Sequence, residues 1–189
     1  MKMVQFPEII KYDNLELRRL YPTYENAEMI FKVIDKNREF FQKWLPWVDS
    51  IKTPEDDLAA LEKLGTDNRW FIFEKGTLVG QIGFFIPPTE AKTLGLGYWL
   101  DKDATGRGII TRAVRLLENL VFGDEHCEYN RIRIHCDALN IASSNIPKKL
   151  GYKQEGILRQ VRAYNDGSLG DSIVWSKLKS EWEKEDKNA

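Results

Sequence analysis

Two glycines, Gly106 and Gly108, flank Arg107 in the run ATGRGII at 104–110, directly ahead of an amphipathic stretch. Glycine has no Cβ, so it takes up positive φ without strain and lets a ligand approach the backbone closely. A helix starting near Gly108 turns its first unpaired N–H groups toward this loop, where the helix dipole favours an anion. Arg107 adds a charge-assisted donor suited to a phosphate oxygen. The same residues also fit a plain tight turn. Two phosphate-binding loops are excluded. No Lys-Ser/Thr pair follows, as a nucleoside-triphosphate loop requires, and the third glycine of the dinucleotide fingerprint is missing.

A second group of polar residues lies in NIASSNIPKKLGYKQEG at 140–156. Asn140 stands where a strand ends and a helix begins, with an amide able to bridge backbone groups or hold a ligand amide. Ser143 and Ser144 are candidates for the helix cap and, equally, for chemistry. Lys148 and Lys149 suit the negative end of the helix dipole with no ligand at all. His126-Cys127 and His135-Cys136 offer four metal-ligating side chains. In a strand over RIRIHCDA, however, His135 and Cys136 point to opposite faces, so no metal is expected.

These residues need elements to position them. LELRRL at 15–20 alternates as a strand does, and Thr23 can cap a helix carrying Ala27, Ile30, Phe31 and Ile34. REFFQKWLPW is aromatic-rich and stops at Pro46. Thr53 and Pro54 open another helix, with Glu55, Asp56 and Asp57 at its positive end and Gly65 as its stop. WFIFE and TLVGQIGFF read as a hairpin joined at Lys75-Gly76, followed by the strand TLGLGYWL. GIITRAVRLLENLVF is an amphipathic helix, 143–150 a short helix despite Pro147, and the strands after it form a hairpin turning near Asp166-Gly167. The resulting order, β-α-α-α-β-β-β-α-β-α-β-β, predicts an α/β (α+β) chain with a mixed, mainly antiparallel sheet and helices packed on it.

The bulk properties agree. The 189 residues suit one domain spanning 1–189, with a charged tail over about 180–189 expected to fray. A net charge of -1 argues against a nucleic-acid partner. No apolar run reaches the ~18 residues that cross a bilayer, so no membrane role and a cytoplasmic location are expected.

Taken together, GYWLDKDATGRGIITRA and the later Asn-x-x-Ser, Lys-Leu-Gly-Tyr and Glu-Gly resemble the GNAT acetyltransferases. The branch resembled is the ribosomal-protein N-acetyltransferases of RimJ/RimL type. DNLELRRLYPTYENAEMIFKVI, KWLPW and DSIVWSKLKSEWE extend the resemblance over nearly the whole chain. The family loop, Gln/Arg-x-x-Gly-x-Gly/Ala, falls on Thr105, Gly108 and Ile110, so only the central position agrees.

The resemblance implies the GNAT fold, with helices on both faces of the sheet and a splayed strand pair whose V holds acetyl-CoA as co-substrate. It implies backbone groups of Trp99 and Leu100 on the pantetheine arm. The amides of Thr105, Gly106, Arg107, Gly108, Ile109 and Ile110 would lie at the pyrophosphate, and Asn140, Asn145 and Lys148 along the rest of the cofactor. It offers Ser143 or Tyr152 as the group that protonates the leaving thiolate, and Glu155 or Asp171 as the base, with a water chain as the alternative. The acceptor implied is a peptide or protein N-terminus, whose α-amine (pKa ~8) is more readily neutral than a lysine (~10.4). A polyamine or aminoglycoside acceptor, a noncatalytic CoA-binding module and a homodimer stand as further expectations.

Overall fold

The computed structural model describes residues 6–65, 68–87 and 92–186. Eight strands form one sheet: β1 (Ile9–Tyr12), β2 (Leu15–Arg19), β3 (Arg69–Glu74), β4 (Thr77–Phe85), β5 (Thr93–Leu100), β6 (Arg131–Asp137), β7 (Lys153–Ala163) and β8 (Leu169–Leu178). Their order across the sheet is β1-β2-β3-β4-β5-β6-β8-β7. Every neighbouring pair is antiparallel except β5 and β6, which run parallel. The mixed, mainly antiparallel α/β class read from the sequence is the class observed.

Among the described residues there are six α-helices: α1 (Tyr24–Lys36), α2 (Arg38–Gln42), α3 (Pro54–Leu64), α4 (Ile109–Phe122), α5 (Ile141–Lys149) and α6 (Lys179–Asp186). Thr23 caps α1 through a bond from the Asn26 N–H, and Thr53 and Asp56 close a reciprocal capping box on α3. The Lys75-Gly76 turn has positive φ at both residues, which matches the right-handed twist of β3 and β4. Pro46 ends the aromatic segment as expected but then opens a 3-10 turn, Pro46–Ser50. The sequence reading missed β1, which folds back on β2 through Asp13 at φ 53°. It also misjudged the tail. Lys179–Asp186 is helical, and Trp182 tilts against Phe122 at 6.1 Å and donates Nε1–H to Asn119 (3.0 Å). Residues 187–189 lie outside the described residues.

Two hydrophobic layers flank the sheet. On one face Leu20, Ala27, Ile30, Ile34, Phe41 and Leu61 pack with Phe71, Phe73 and Trp99. On the other, Ile109, Ala113, Leu117 and Val121 of α4 meet Ile72, Ile82, Leu96 and Ile134. Helices thus cover both faces. Between them the parallel pair comes apart. β5 and β6 are in register from Thr93↔Arg131 to Leu96↔Ile134, yet β5 continues to Leu100 and β6 to Asp137. Four residues of β5 and three of β6 therefore border an opening in the sheet.

Candidate active site

The N-terminus of α4 faces this opening. Gly106 (φ 77°) and Gly108 (φ 70°) both occupy the left-handed region, and Gly108 caps the helix with no side-chain bond to its first amides. A Cβ built at either glycine would meet no protein atom within 4 Å. The loop is bare because open space lies in front of it. Thr105, Gly106, Gly108, Ile109 and Ile110 line a cleft of about 590 Å³, with Asn140, Ser143, Asn145, Ile146 and Lys149 on its other wall.

Several expected contacts fall differently. The Arg107 guanidinium turns away from the cleft and is held by Glu74 (2.7 Å) and the Asp103 carbonyl (2.6 Å), which ties the loop to β3. Lys149, one residue on from Lys148, is the lysine that lines the cleft, on the same helical face as Asn145. At the strand end, the Asp101 N–H donates to the Val79 carbonyl at 2.7 Å. Antiparallel alternation then directs the backbone of Trp99 and Gly97 to their partners Gln81 and Gly83 in β4. The backbone groups of Tyr98 and Leu100 face the splay instead. Of the expected pair, Leu100 turns its backbone to the splay and Trp99 turns its backbone to β4.

A second cavity, of about 380 Å³, opens on the α3 side of the sheet. Asp57, Leu61 and Leu64 of α3 form one wall, and Trp44, Trp47, Arg69, His135, Asp137 and Arg162 contribute to the others. The two cavities share Trp44, Leu45, Tyr98, Trp99, Asn140 and Ser143. They meet at the splay.

Ser143 stands at that junction for reasons local to α5. Asn140 is the cap, accepting from the Ser143 N–H at 3.0 Å, so neither serine hydroxyl is used in capping. Pro147 has no N–H, which leaves the carbonyl four residues earlier, that of Ser143, without its helical partner. The Tyr98 hydroxyl fills the vacancy, lying 3.3 Å from both the Ser143 carbonyl and its Oγ. Burial raises the Tyr98 pKa, so the phenol stays protonated and serves as a fixed dipole.

Three acid-base candidates lie elsewhere. Tyr152 lines neither cavity. It is buried in the core beneath Lys177, whose Nζ is 5.7 Å from its ring, and burial, with Glu118 close by, raises its pKa well above the usual tyrosine value. Glu155 binds Ser176 Oγ (2.7 Å) and Arg131 (2.5 Å). Asp171 accepts the Gln160 N–H (2.9 Å) at a bulge in β7. Both acids fasten strands, and neither lines either of the two cavities.

Asp57, Arg69 and Asp137 of the second cavity drew no functional reading from the sequence. Asp57 reads there as an acid at a helix start. Asp137 accepts from the Tyr164 hydroxyl (2.5 Å) and pairs with Arg162 (3.2 Å). Among the described residues no group of three or more His, Cys, Asp or Glu is arranged to hold a metal ion. Cys127 and Cys136 are free thiols.

A splayed parallel pair, a helix start without a side-chain cap on one side and a cavity lined by Asp57, Arg69, Asp137 and Arg162 on the other suit transfer of a group across the sheet. The family model described as acetyltransferase (GNAT) domain matches residues 14–153. The chain belongs to the GNAT acetyltransferase family. It is 28% identical over 181 residues to the putative ribosomal N-acetyltransferase YdaF of Bacillus subtilis (strain 168), covering 92% of this chain and 96% of that protein. It is 29% identical over 173 residues to the ribosomal-protein-serine acetyltransferase of Escherichia coli (strain K12), covering 86% and 96%. Among solved structures, the microcin C7 self-immunity acetyltransferase MccE in complex with acetyl-CoA and AMP aligns with a TM-score of 0.80 at 29% identity, over 93% of this chain and 98% of that one. RimL, a ribosomal L7/L12 alpha-N-protein acetyltransferase in complex with coenzyme A, shares the fold at TM-score 0.82 and 22% identity, over 92% and 99%. As a GNAT enzyme this acetyltransferase moves an acetyl group, and the two cavities are the candidate places for its two substrates.

Proposed function

We propose that this acetyltransferase carries acetyl groups from acetyl-CoA to the α-amine of a protein or peptide N-terminus. One observation carries the reading: the two cavities meet at the splay, where Tyr98 and Ser143 border both. Acetyl-CoA fits the α4–α5 cleft. Its pyrophosphate has the bare amides from Gly106 to Ile110, and its pantetheine arm has the backbone of Tyr98 and Leu100. The acceptor enters from the α3 side.

In the reaction the neutral amine attacks the thioester carbon, the C–S bond breaks, the nitrogen gives up one N–H proton, and the departing thiolate takes one up, so that no net proton is released. A backbone N–H at the β5 edge is suited to the developing oxyanion. Ser143 is the hydroxyl placed at the junction for the thiolate, and a serine acts there by donating a hydrogen bond more than by full proton transfer. Tyr98 fixes its orientation. The relatives, the putative ribosomal N-acetyltransferase YdaF and the ribosomal-protein-serine acetyltransferase, support an α-amine of a ribosomal protein as the acceptor class. A polyamine calls for a strongly acidic cavity, whereas this one sets Arg69 and Arg162 against Asp57 and Asp137.

The test is a thiol-release assay with acetyl-CoA and a panel of N-terminal peptides, polyamines and aminoglycosides. Turnover with peptides above the other amines is expected. Acetyl-CoA binding without turnover on any amine would instead make the chain a noncatalytic CoA-binding module.

A further inference from the structure

The acceptor cavity contains two ionisable side chains with no partner among the described residues. Asp57 is 4% exposed, its Oδ2 is sealed from water, and neither oxygen accepts a hydrogen bond from a described residue. Arg69 forms no ion pair with any described residue, and burial lowers its pKa. Such groups are costly to bury unless something completes them. Asp137, the other acid lining the cavity, is already satisfied by Tyr164 and Arg162.

The sheet explains where Arg69 points. Arg69, Gly83 and Gly97 are consecutive cross-strand partners on β3, β4 and β5, and so lie on one face in one row. A Cβ at Gly83 would come within 2.7 Å of the Arg69 Cγ, so the arginine stem lies across that glycine. A Cβ at Gly97 would meet nothing within 4 Å. The two glycines leave a lane without side chains that leads from Arg69 to the splay. With strands about 4.8 Å apart, the lane is about 10 Å long, and an arginine spans much of it.

We propose that Asp57 and Arg69 select an acceptor bearing an α-amino carbonyl unit, with Asp57 as counter-ion to the entering ammonium and Arg69 as donor to the neighbouring carbonyl or carboxylate oxygen. The inference rests on the reading of this enzyme as an α-amine acetyltransferase. It adds what the site recognises beyond the amine: a carbonyl or carboxylate on the amine-bearing carbon, which N-terminal residues and free amino acids have and simple amines lack.

Three probes test it: the peptide amide Ser-Ala-Ala, free serine, and ethanolamine, which is serine without its carbonyl. Wild-type enzyme should prefer the first or second over ethanolamine by about tenfold or more in KM, the scale of one charge-assisted hydrogen bond. Arg69→Met should remove that preference by weakening the carbonyl-bearing probe alone, and Arg69→Lys should restore part of it. Asp57→Asn should raise KM for all three while KM for acetyl-CoA holds. Peptide over serine identifies the carbonyl as the natural partner, and serine over peptide the carboxylate. Ethanolamine used as well as the others, or an equal loss for all three in Arg69→Met, would overturn the proposal. Calorimetric titration of the same probes into the CoA-bound enzyme separates the two levels of the argument. Discrimination in binding without turnover would sink the transferase reading and keep the recognition, and no binding of any probe would sink the recognition.

Discussion

At the scale of single residues, Ser143 owes its position to two neighbours that do no chemistry. Asn140 takes the cap, and Pro147 releases the carbonyl that Tyr98 then holds. Ser143→Ala should therefore lower kcat with KM for acetyl-CoA nearly unchanged, and steady-state kinetics reads both; an unaltered kcat would remove Ser143 from the mechanism. Tyr98→Phe should lower kcat less, because the serine stays in place and loses only its orientation. Asp57 carries a prediction about stability. Burial raises its pKa from 3.8 to about 7, so its folded form holds a proton that the unfolded chain has released. The stability this contributes is complete below about pH 4, near the unfolded value, and is lost as pH rises through about 7. Asp57→Asn should accordingly raise Tm at pH 8 by a few degrees and change it little at pH 4.5, as thermal unfolding at the two values would show. A stabilising substitution that impairs acceptor use is what a functional buried charge produces.

At the scale of elements, α4 and α6 illustrate two uses of a helix end. The start of α4 is left without a side-chain cap, and the φ of 70° at Gly108 opens its amides to the cleft. Gly108→Val would strain the backbone and put a branched side chain where the pyrophosphate is expected. Acetyl-CoA binding, measured by calorimetry, should fall by at least an order of magnitude while the enzyme stays folded. α6 is polar enough in sequence to pass for a loose tail, yet Trp182 packs against Phe122, and Glu185 reaches the fully buried Lys177 at 2.6 Å. Trp182→Ala should cost about 2–4 kcal/mol in chemical denaturation, in line with other large-to-small aromatic truncations. The reason for Glu185 is electrostatic: Lys177 lies 4.0 Å from the buried Glu118, and the Leu150 carbonyl at 2.6 Å and Glu185 complete its donors.

At the scale of the whole molecule, both cavities depend on a sheet that stays paired at one end and parts at the other. Saturating acetyl-CoA should raise Tm, by about 2.7 kcal/mol of stabilisation at one hundred times its Kd. A melting curve indifferent to acetyl-CoA would count against the cofactor assignment. Much of this architecture was legible in the chain. Local rules read the capped helices α1 and α3, the Lys75-Gly76 turn and the amphipathic α4, because propensity and periodicity act within a few residues. The glycine loop and the Asn140–Ser143 segment were also found, as residue types at fixed spacing. The roles of Tyr152, Glu155 and Arg107 were not legible, since an acid or a tyrosine serves packing or chemistry according to neighbours distant in sequence. For Glu155 that neighbour is Arg131; for Arg107 it is Glu74.

The sequence by itself determined most of the elements, the family and the bare loop before α4, all encoded in contiguous residues. Tertiary structure alone decided which side chains face the junction. It joined Tyr98 to Ser143 across 45 positions and set Arg69 beside two glycines from other strands. The physical reason is that strand register and the splay between β5 and β6 are settled by packing of the entire sheet against helices on both faces, and no local pattern carries that information.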